Sequence, residues 1–160
     1  MICAFTGHRP ERLPWGRNED DLRCAALKTL LRRTVREVYD RGFHTFLCGM
    51  ARDQYFAEAV LAARADGAQD AQLCALVPCP SQPDGWDEAS VARYWALLAA
   101  CDQVEVLEDH YSPGCMLRRN REMLRRAQLL ISVYDGTPSG TAATVRRAEQ
   151  QGIEVLPLWM

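Results

Sequence analysis

Thr6-Gly7-His8-Arg9-Pro10 directly follows a short apolar run, Ile2–Phe5. The run has the character of a buried strand, whereas the five residues after it do not belong in a core. A hydroxyl, an imidazole and a guanidinium at a strand tip can hold an anion, carry a proton or orient a polar ligand. Open α/β sheets bind ligands just beyond the carboxyl ends of their strands. Pro10 stiffens the exit and rules out a tight strand-to-helix elbow. A surface turn that uses Gly and Pro for their geometry has the same composition, so other segments must decide.

Three further clusters fall just after apolar runs. Cys48-Gly49-Met50-Ala51-Arg52-Asp53 forms a strand-to-helix turn. Its glycine admits close approach to the backbone, and the N–H groups of a helix start favour an anion. The segment from His110 to Asn120 is the second. The third, Asp135-Gly136-Thr137-Pro138-Ser139-Gly140-Thr141, offers small residues, hydroxyls and another helix start. Two helix N-termini beside one crevice suit a phosphorylated or otherwise anionic ligand. The ligand-contact candidates are Thr6, Gly7, His8, Arg9, Gly49, Met50, Arg52, Asp53, Arg119, Asn120, Asp135, Gly136, Ser139, Gly140 and Thr141.

Met116, Arg119, Asn120 and Met123 share one helical face at i, i+3, i+4, i+7 spacing. The methionines suit a core. Arg119 does not, because a buried arginine needs an anion or acceptors. Either a ligand or a carboxylate of the protein, such as Asp135, could satisfy it. His8 has three roles open to it: acid or base, hydrogen-bonding ligand contact, or turn residue. Its place between Gly7 and Arg9 favours ligand contact. His44 and His110 suit structural or surface roles. No His, Asp or Glu cluster has metal-ligand spacing, so no metal is expected, and no serine sits in a G-x-S-x-G elbow.

These positions need a scaffold, and the chain alternates short apolar runs with longer amphipathic ones. Ile2–Phe5 opens as a strand. Asn18, with Asp21 three residues on, suits an N-cap, and Leu22, Ala26, Leu30 and Val38 mark a helical face ended by Gly42. Phe43–Cys48 is the second strand. Asp53 opens a second helix carrying Phe56, Ala57, Val60 and Leu61, stopped by Gly67. Gln72–Val77 is the third strand, and Pro78–Gly85 is a loop. Asp87 caps a third helix through Val91, Tyr94, Trp95 and Leu98. Gln103–Leu107 is the fourth strand. Ser112-Pro113 starts a fourth helix that runs to about Arg126. Leu129–Tyr134 is the fifth strand. Ser139 leads a fifth helix to Gly152, and Ile153–Leu158 is the sixth strand. The alternation implies a Rossmann-like three-layer α/β sandwich, mostly parallel, with helices on both faces and right-handed crossovers.

The chain's 160 residues suit one domain. Its 48% hydrophobic and 25% charged residues are ordinary for a globular protein. No apolar run approaches a membrane span of ~20 residues, and the first residues lack the charged start and long apolar run of a signal peptide; a cytoplasmic location is expected. A net charge of −2 argues against binding driven by nucleic-acid phosphates, despite the cluster Arg118, Arg119, Arg121, Arg125 and Arg126. Seven cysteines contain no C-x-x-C pair; Cys3, Cys48 and Cys74 suit small buried apolar positions. Cys115 has two readings, a thiol activated by a helix start or a buried structural one.

In order along the chain, Thr6-Gly7-His8-Arg9-Pro10, Gly49-Met50-Ala51, His110-Tyr111-Ser112-Pro113-Gly114-Cys115-Met116 with Arg119-Asn120-Arg121, and Tyr134-Asp135-Gly136 with Ser139-Gly140-Thr141 resemble the YpsA-type branch of the SLOG superfamily. That superfamily joins Smf/DprA-type proteins and the Lonely Guy enzymes on a Rossmann-like fold. The resemblance covers nearly the whole chain. It implies a pocket for a nucleotide or a nucleotide-derived, ADP-ribose-like ligand, with no required cofactor, and it carries an expectation of self-association.

Two departures stand out. The family's second turn resembles Gly-x-Ala-x-Gly-x-Asp, whereas Gly49–Asp53 is two residues shorter and lacks the second glycine. The family's last turn carries Gly-Gly-Thr, and here Ser139 precedes Gly140-Thr141. Both reshape the expected anion cradle. The Lonely Guy enzymes cleave an N-glycosidic bond of nucleoside monophosphates through a motif resembling Pro-Gly-Gly-x-Gly-Thr-x-x-Glu. Laying Gly140-Thr141 on it puts Thr144 at the catalytic glutamate, while Arg119 falls where those enzymes carry an arginine. A threonine does no carboxylate chemistry, and Glu149 lies more than a helical turn beyond.

Four functions follow for testing. Nucleotide binding or sensing leads. Hydrolysis of an N-glycosidic bond by His8, Arg9, Asp135 and Arg119 is the alternative. Single-stranded DNA binding is disfavoured by the charge balance. A partner-binding scaffold would use Trp15, Trp86, Trp95 and Trp159, residues that more often belong to a core.

Overall fold

In the computed structural model, which describes residues 1–159, six strands form one parallel sheet in the order β4-β3-β2-β1-β5-β6. The strands are β1 (Ile2–Gly7), β2 (Thr45–Cys48), β3 (Gln72–Val77), β4 (Gln103–Val106), β5 (Leu129–Val133) and β6 (Glu154–Leu158). The helices are α1 (Leu22–Asp40), α2 (Tyr55–Ala65), α3 (Glu88–Ala100), α4 (Cys115–Arg126) and α5 (Gly140–Gln150). The expected Rossmann-like three-layer architecture is present.

The sequence explains the layering. β1, β2, β3 and β5 are apolar at nearly every position, as strands covered on both faces must be. Cys3, Phe5, Phe46, Leu73, Ile131 and Val133 face the layer built by α1, α2 and α3. Ala4, Leu47, Leu76 and Leu130 face α4 and α5, through Met123, Leu124, Val145 and Ala148. Phe5 stacks on Phe56 with ring centroids 4.7 Å apart, so α2 sits directly behind the tip of β1. Cys3, Cys48 and Cys74 are buried as expected. Burial pushes all three thiols up, so they pack as small apolar groups.

Several boundaries and faces differ from the sequence expectation. In α1 the buried face is Cys24, Leu27, Leu31, Thr34, Val35 and Val38; Leu22 is 85% exposed, and Ala26 also faces solvent. Asp21, not Asn18, is the N-cap, accepting from Arg23 N. α2 begins at Tyr55 behind Gln54, leaving Asp53 outside the helix. α4 begins at Cys115 because Gly114, at φ +81°, takes the turn that Ser112-Pro113 was expected to make. The Ser112 hydroxyl bonds Glu108 at 2.7 Å instead of capping. Asp87 and Ser139 cap α3 and α5 as expected, accepting from Ser90 N and Ala142 N. All four residues of the edge strand β4 are exposed, and Trp95 is 56% exposed rather than core.

Among the described residues no helix is long and apolar enough to cross a membrane, and no group of three or more His, Cys, Asp or Glu could hold a metal ion.

Candidate functional site

The cleft forms where the sheet changes direction. β1 and β5 are neighbours, yet the chain leaves β1 toward β2 and leaves β5 toward β6. Their connections part and open a crevice at the carboxyl ends, the position at which this class of sheet receives ligands. A cavity of about 440 Å³ occupies it.

Two glycines let the walls come together. A Cβ on Gly7 would lie 2.7 Å from Phe56 Cζ and 2.7 Å from Tyr55 Oη, so only glycine lets α2 pack on this tip. Tyr55 Oη in turn donates to His8 O at 2.7 Å and clamps the loop. A Cβ on Gly49 would collide with the Arg119 guanidinium. The glycine therefore makes room for an arginine that enters from α4 on the far side of the sheet.

Arg119 is the centre of the site. It is 4% exposed, a cation held in the protein interior. Its Nε donates to Asn120 Oδ1 at 2.8 Å, and its Nη1 donates to Gly49 O, to Leu76 O at 3.2 Å and more distantly to Gln82 Oε1. All of these acceptors are neutral. Among the described residues no carboxylate forms an ion pair with it, and Nη2 makes no hydrogen bond to any of them. Burial pulls its pKa down against the attraction of Asp53, but a guanidinium remains charged at neutral pH. The expected alternative partner, Asp135, is engaged elsewhere.

The start of α5 forms the opposite wall, with Ser139, Gly140 and Thr141 lining the cavity. Ser139 Oγ satisfies Ala142 N, while the N–H groups of Gly140 and Thr141, in the first turn, have no intrahelical partner. A hydrogen-bond chain links this wall to Arg119. Thr144 Oγ1 donates to Gly140 O at 2.9 Å and accepts from Asn120 Nδ2 at 3.3 Å, and Asn120 holds Arg119. Thr144 is thus buried and occupied in positioning.

The turn after β2 differs from the expected anion cradle. Met50 adopts φ +56°, a left-handed conformation that costs a side-chain-bearing residue about 1–2 kcal/mol. The shortened turn aims carbonyls, not N–H groups, at its neighbours. Gly49 O faces Arg119, and Gln82 Nε2 donates to Gly49 O at 3.2 Å and to Met50 O at 3.0 Å. Asp53 then meets the cavity at the start of α2, so an acid stands where the second helix N-terminus was expected to face the ligand. Its carboxylate makes no side-chain hydrogen bond among the described residues. Burial raises its pKa, partly opposed by Arg119.

Of the residues singled out by sequence, Thr6, Gly7, His8, Arg9, Gly49, Asp53, Arg119, Asn120, Ser139, Gly140 and Thr141 line the cavity. Met50, Arg52, Asp135 and Gly136 do not. Met50 is buried beneath the turn. Arg52 turns to Glu11 at 2.9 Å and to the Trp86 ring. Asp135 Oδ1 lies 3.0 Å from His8 Nε2 and accepts from Thr137 N at 3.0 Å. Those bonds, led by the Thr137 hydroxyl, hold the Asp135 carboxyl well below the usual carboxylate range. His8 is 2% exposed, and Tyr134 and Trp159 stand edge-on to its ring at 6.0 Å each. His8 and Asp135 thereby lock the β1 and β5 loops together. Sequence reasoning missed Arg12, whose guanidinium lies 3.4 Å from Pro138 O on the cavity rim. Its place three residues after Arg9 was the available signal.

The architecture is that of the Rossmann-like class, an open α/β sheet with a cleft lined by arginines at its switch point. The model of the YpsA family, described as the YspA SLOG family, matches residues 3–154, and the chain belongs to that family. No curated protein matches the chain.

Proposed function

We propose that the protein binds a nucleotide or nucleotide derivative through its phosphate in the cleft between β1 and β5. The observation that carries this reading is Arg119, a buried cation with neutral partners and one amine left free at the cavity. Burying a guanidinium is costly, Asp53 attracts it without forming an ion pair, and a bound anion would offset what remains of that cost. Arg9, Arg12 and the free N–H groups of Gly140 and Thr141 add positive potential to the same cavity, against the single carboxylate of Asp53.

Thermal shift against AMP, ADP, ATP, NAD, ADP-ribose and cyclic dinucleotides tests it. A ligand at 100 times its Kd adds about 2.7 kcal/mol to stability. Gly140→Asp is the sharpest variant. No atom lies within 4 Å of a Cβ there, and an acid in the first helical turn favours the helix. The variant should keep or raise the melting temperature while losing the ligand-induced shift. No shift with any ligand in the wild type contradicts the reading.

Asp53 supports a second reading, hydrolysis of a nucleotide N-glycosidic bond. An otherwise free carboxyl, held above its ordinary pKa beside Arg119, is suited to proton transfer. Water would bond to the anomeric carbon as the carbon–nitrogen bond breaks, and a proton would pass to the departing base. Chromatographic detection of free base, lost in Asp53→Asn, tests it; a rate equal to that in buffer ends it.

A further inference from the structure

A second cavity of about 300 Å³ adjoins the first and shares Arg9, Ala51 and Met116 with it. The partition is soft. Arg9 Nη2 lies 3.8 Å from Met116 Sδ, and Arg9 is exposed. A thioether contact of this kind is weak, and an unbranched methionine has rotamers into which it can move.

The two chambers differ in chemistry. The first presents guanidinium groups and helix N–H groups. The second presents the indole of Trp86, the phenol of Tyr111 and the guanidinium of Arg52. Trp86 is fixed edge-on against Tyr94, with centroids 5.5 Å apart at 88°, and Arg52 lies over its ring at 5.6 Å. Arg52 Nε is buried and has no hydrogen-bond partner. Tyr111 is 64% exposed, a large ring left in water at the rim of the cavity. Aromatic side chains and arginine planes are the usual stacking partners of nucleobases.

We infer that the second cavity seats a planar heteroaromatic ring of the ligand whose anionic group lies against Arg119 and the start of α5. This rests on the nucleotide-binding reading above and deepens it by assigning the place of the ring, which that reading left open. The ligand crosses from one chamber to the other over Arg9 and Met116. A sugar phosphate or a simple anion fills only the first chamber.

Calorimetric titration of AMP, ADP, NAD, ribose 5-phosphate and pyrophosphate into wild type, Tyr111→Ala and Ser81→Trp separates the possibilities. Tyr111 is too exposed for its loss to cost the fold much, and Ser81 lines the second cavity but not the first, so an indole there fills the ring seat. The tightest ring-bearing probe should weaken about tenfold or more in both variants, in line with the energy of one base stack. Ribose 5-phosphate and pyrophosphate should bind more weakly than it does, and equally to all three proteins. If every probe binds wild type and variants alike, or ribose 5-phosphate matches the nucleotides, the ring seat is wrong and phosphate binding stands. If no probe binds wild type, both readings fall. Should Ser81→Trp melt early, Tyr111→Ala decides alone.

Discussion

Helix α4 carries arginines on two faces, and the protein treats them in opposite ways. On the outer face, Arg126 pairs with Glu105 at 2.7 Å and Glu122 at 2.8 Å, Arg125 pairs with Glu122 at 2.5 Å, and Arg118 pairs with Glu108 at 2.9 Å. Hydrogen bonds from Arg125 and Arg126 hold the Glu122 carboxyl down to about 2. On the inner face Arg119 is buried among carbonyls and an amide, with no acid paired to it. Charges in water need no partner, yet these three have one, whereas the buried charge has only the longer-range attraction of Asp53 and, among the described residues, no ion pair. Solvation alone would produce the reverse arrangement. A buried cation left open toward a cavity is the observation on which the proposed anion rests.

The largest expected effect comes from removing the inner charge. Arg119→Ala should abolish nucleotide binding, by more than a hundredfold in Kd. It should also lower stability by about 3 kcal/mol, since Gly49 O and Leu76 O each lose a donor and a cavity opens. Arg125→Ala on the outer face should change stability by less than about 1 kcal/mol and leave binding intact. Comparable binding losses in both variants would erase the contrast.

Next in size is Gly49→Ala. Its methyl collides with the guanidinium, so Arg119 must shift. Overpacking of this kind costs about 1–3 kcal/mol, and binding should weaken with it. Unchanged melting and affinity would show that the guanidinium's place is not tightly set.

A smaller effect should come from Asp53→Asn, and pH reveals its sign. The folded-state pKa of Asp53 lies above its ordinary 3.8. At low pH both folded and unfolded states hold the proton, and the group costs nothing. As pH rises past the ordinary value, the unfolded state ionises more readily, and stability falls until the folded-state value is passed. Asp53→Asn should therefore melt higher than wild type at pH 7, with the gain vanishing as pH falls toward 3.8. It should also tighten phosphate binding by removing a like charge. The opposite slope in chemical denaturation across pH would mean that Arg119 outweighs burial at this carboxyl.

Smallest is the surface pair. Glu105→Gln should cost under about 1 kcal/mol, and the cost should shrink further in high salt.

How much of this was legible in the sequence differs from element to element. The six strands and five helices were readable because apolar runs of four to six residues alternate with longer amphipathic ones. The buried face of α1 was not. Leu22, Ala26 and Leu30 form one plausible helical stripe, and Cys24, Leu27, Leu31, Val35 and Val38 form another. Only packing against α2 and the sheet chooses between them. The grouping of Thr6–Arg9, Gly49, Arg119 and Ser139–Thr141 was legible because each lies just past a strand or on an inward helical face. The inner architecture was not. That Asp135 serves His8 rather than Arg119 depends on how two loops cross, which no local spacing records. Nor does composition reveal that the shortened turn presents carbonyls through a left-handed Met50. The second chamber joins Arg9 to Tyr111 and Trp86, residues far apart in sequence.

The side-chain Nε–H signals of the α4 arginines, followed by ¹H–¹⁵N NMR during titration with ADP, test the central contrast most directly. The Arg119 Nε–H and the backbone amides of Gly140 and Thr141 should shift together and saturate at one common Kd, with Arg125 and Arg126 unmoved. Shifts confined to the outer arginines, or none at Arg119 at saturating nucleotide, would contradict the assignment of the buried charge to a ligand.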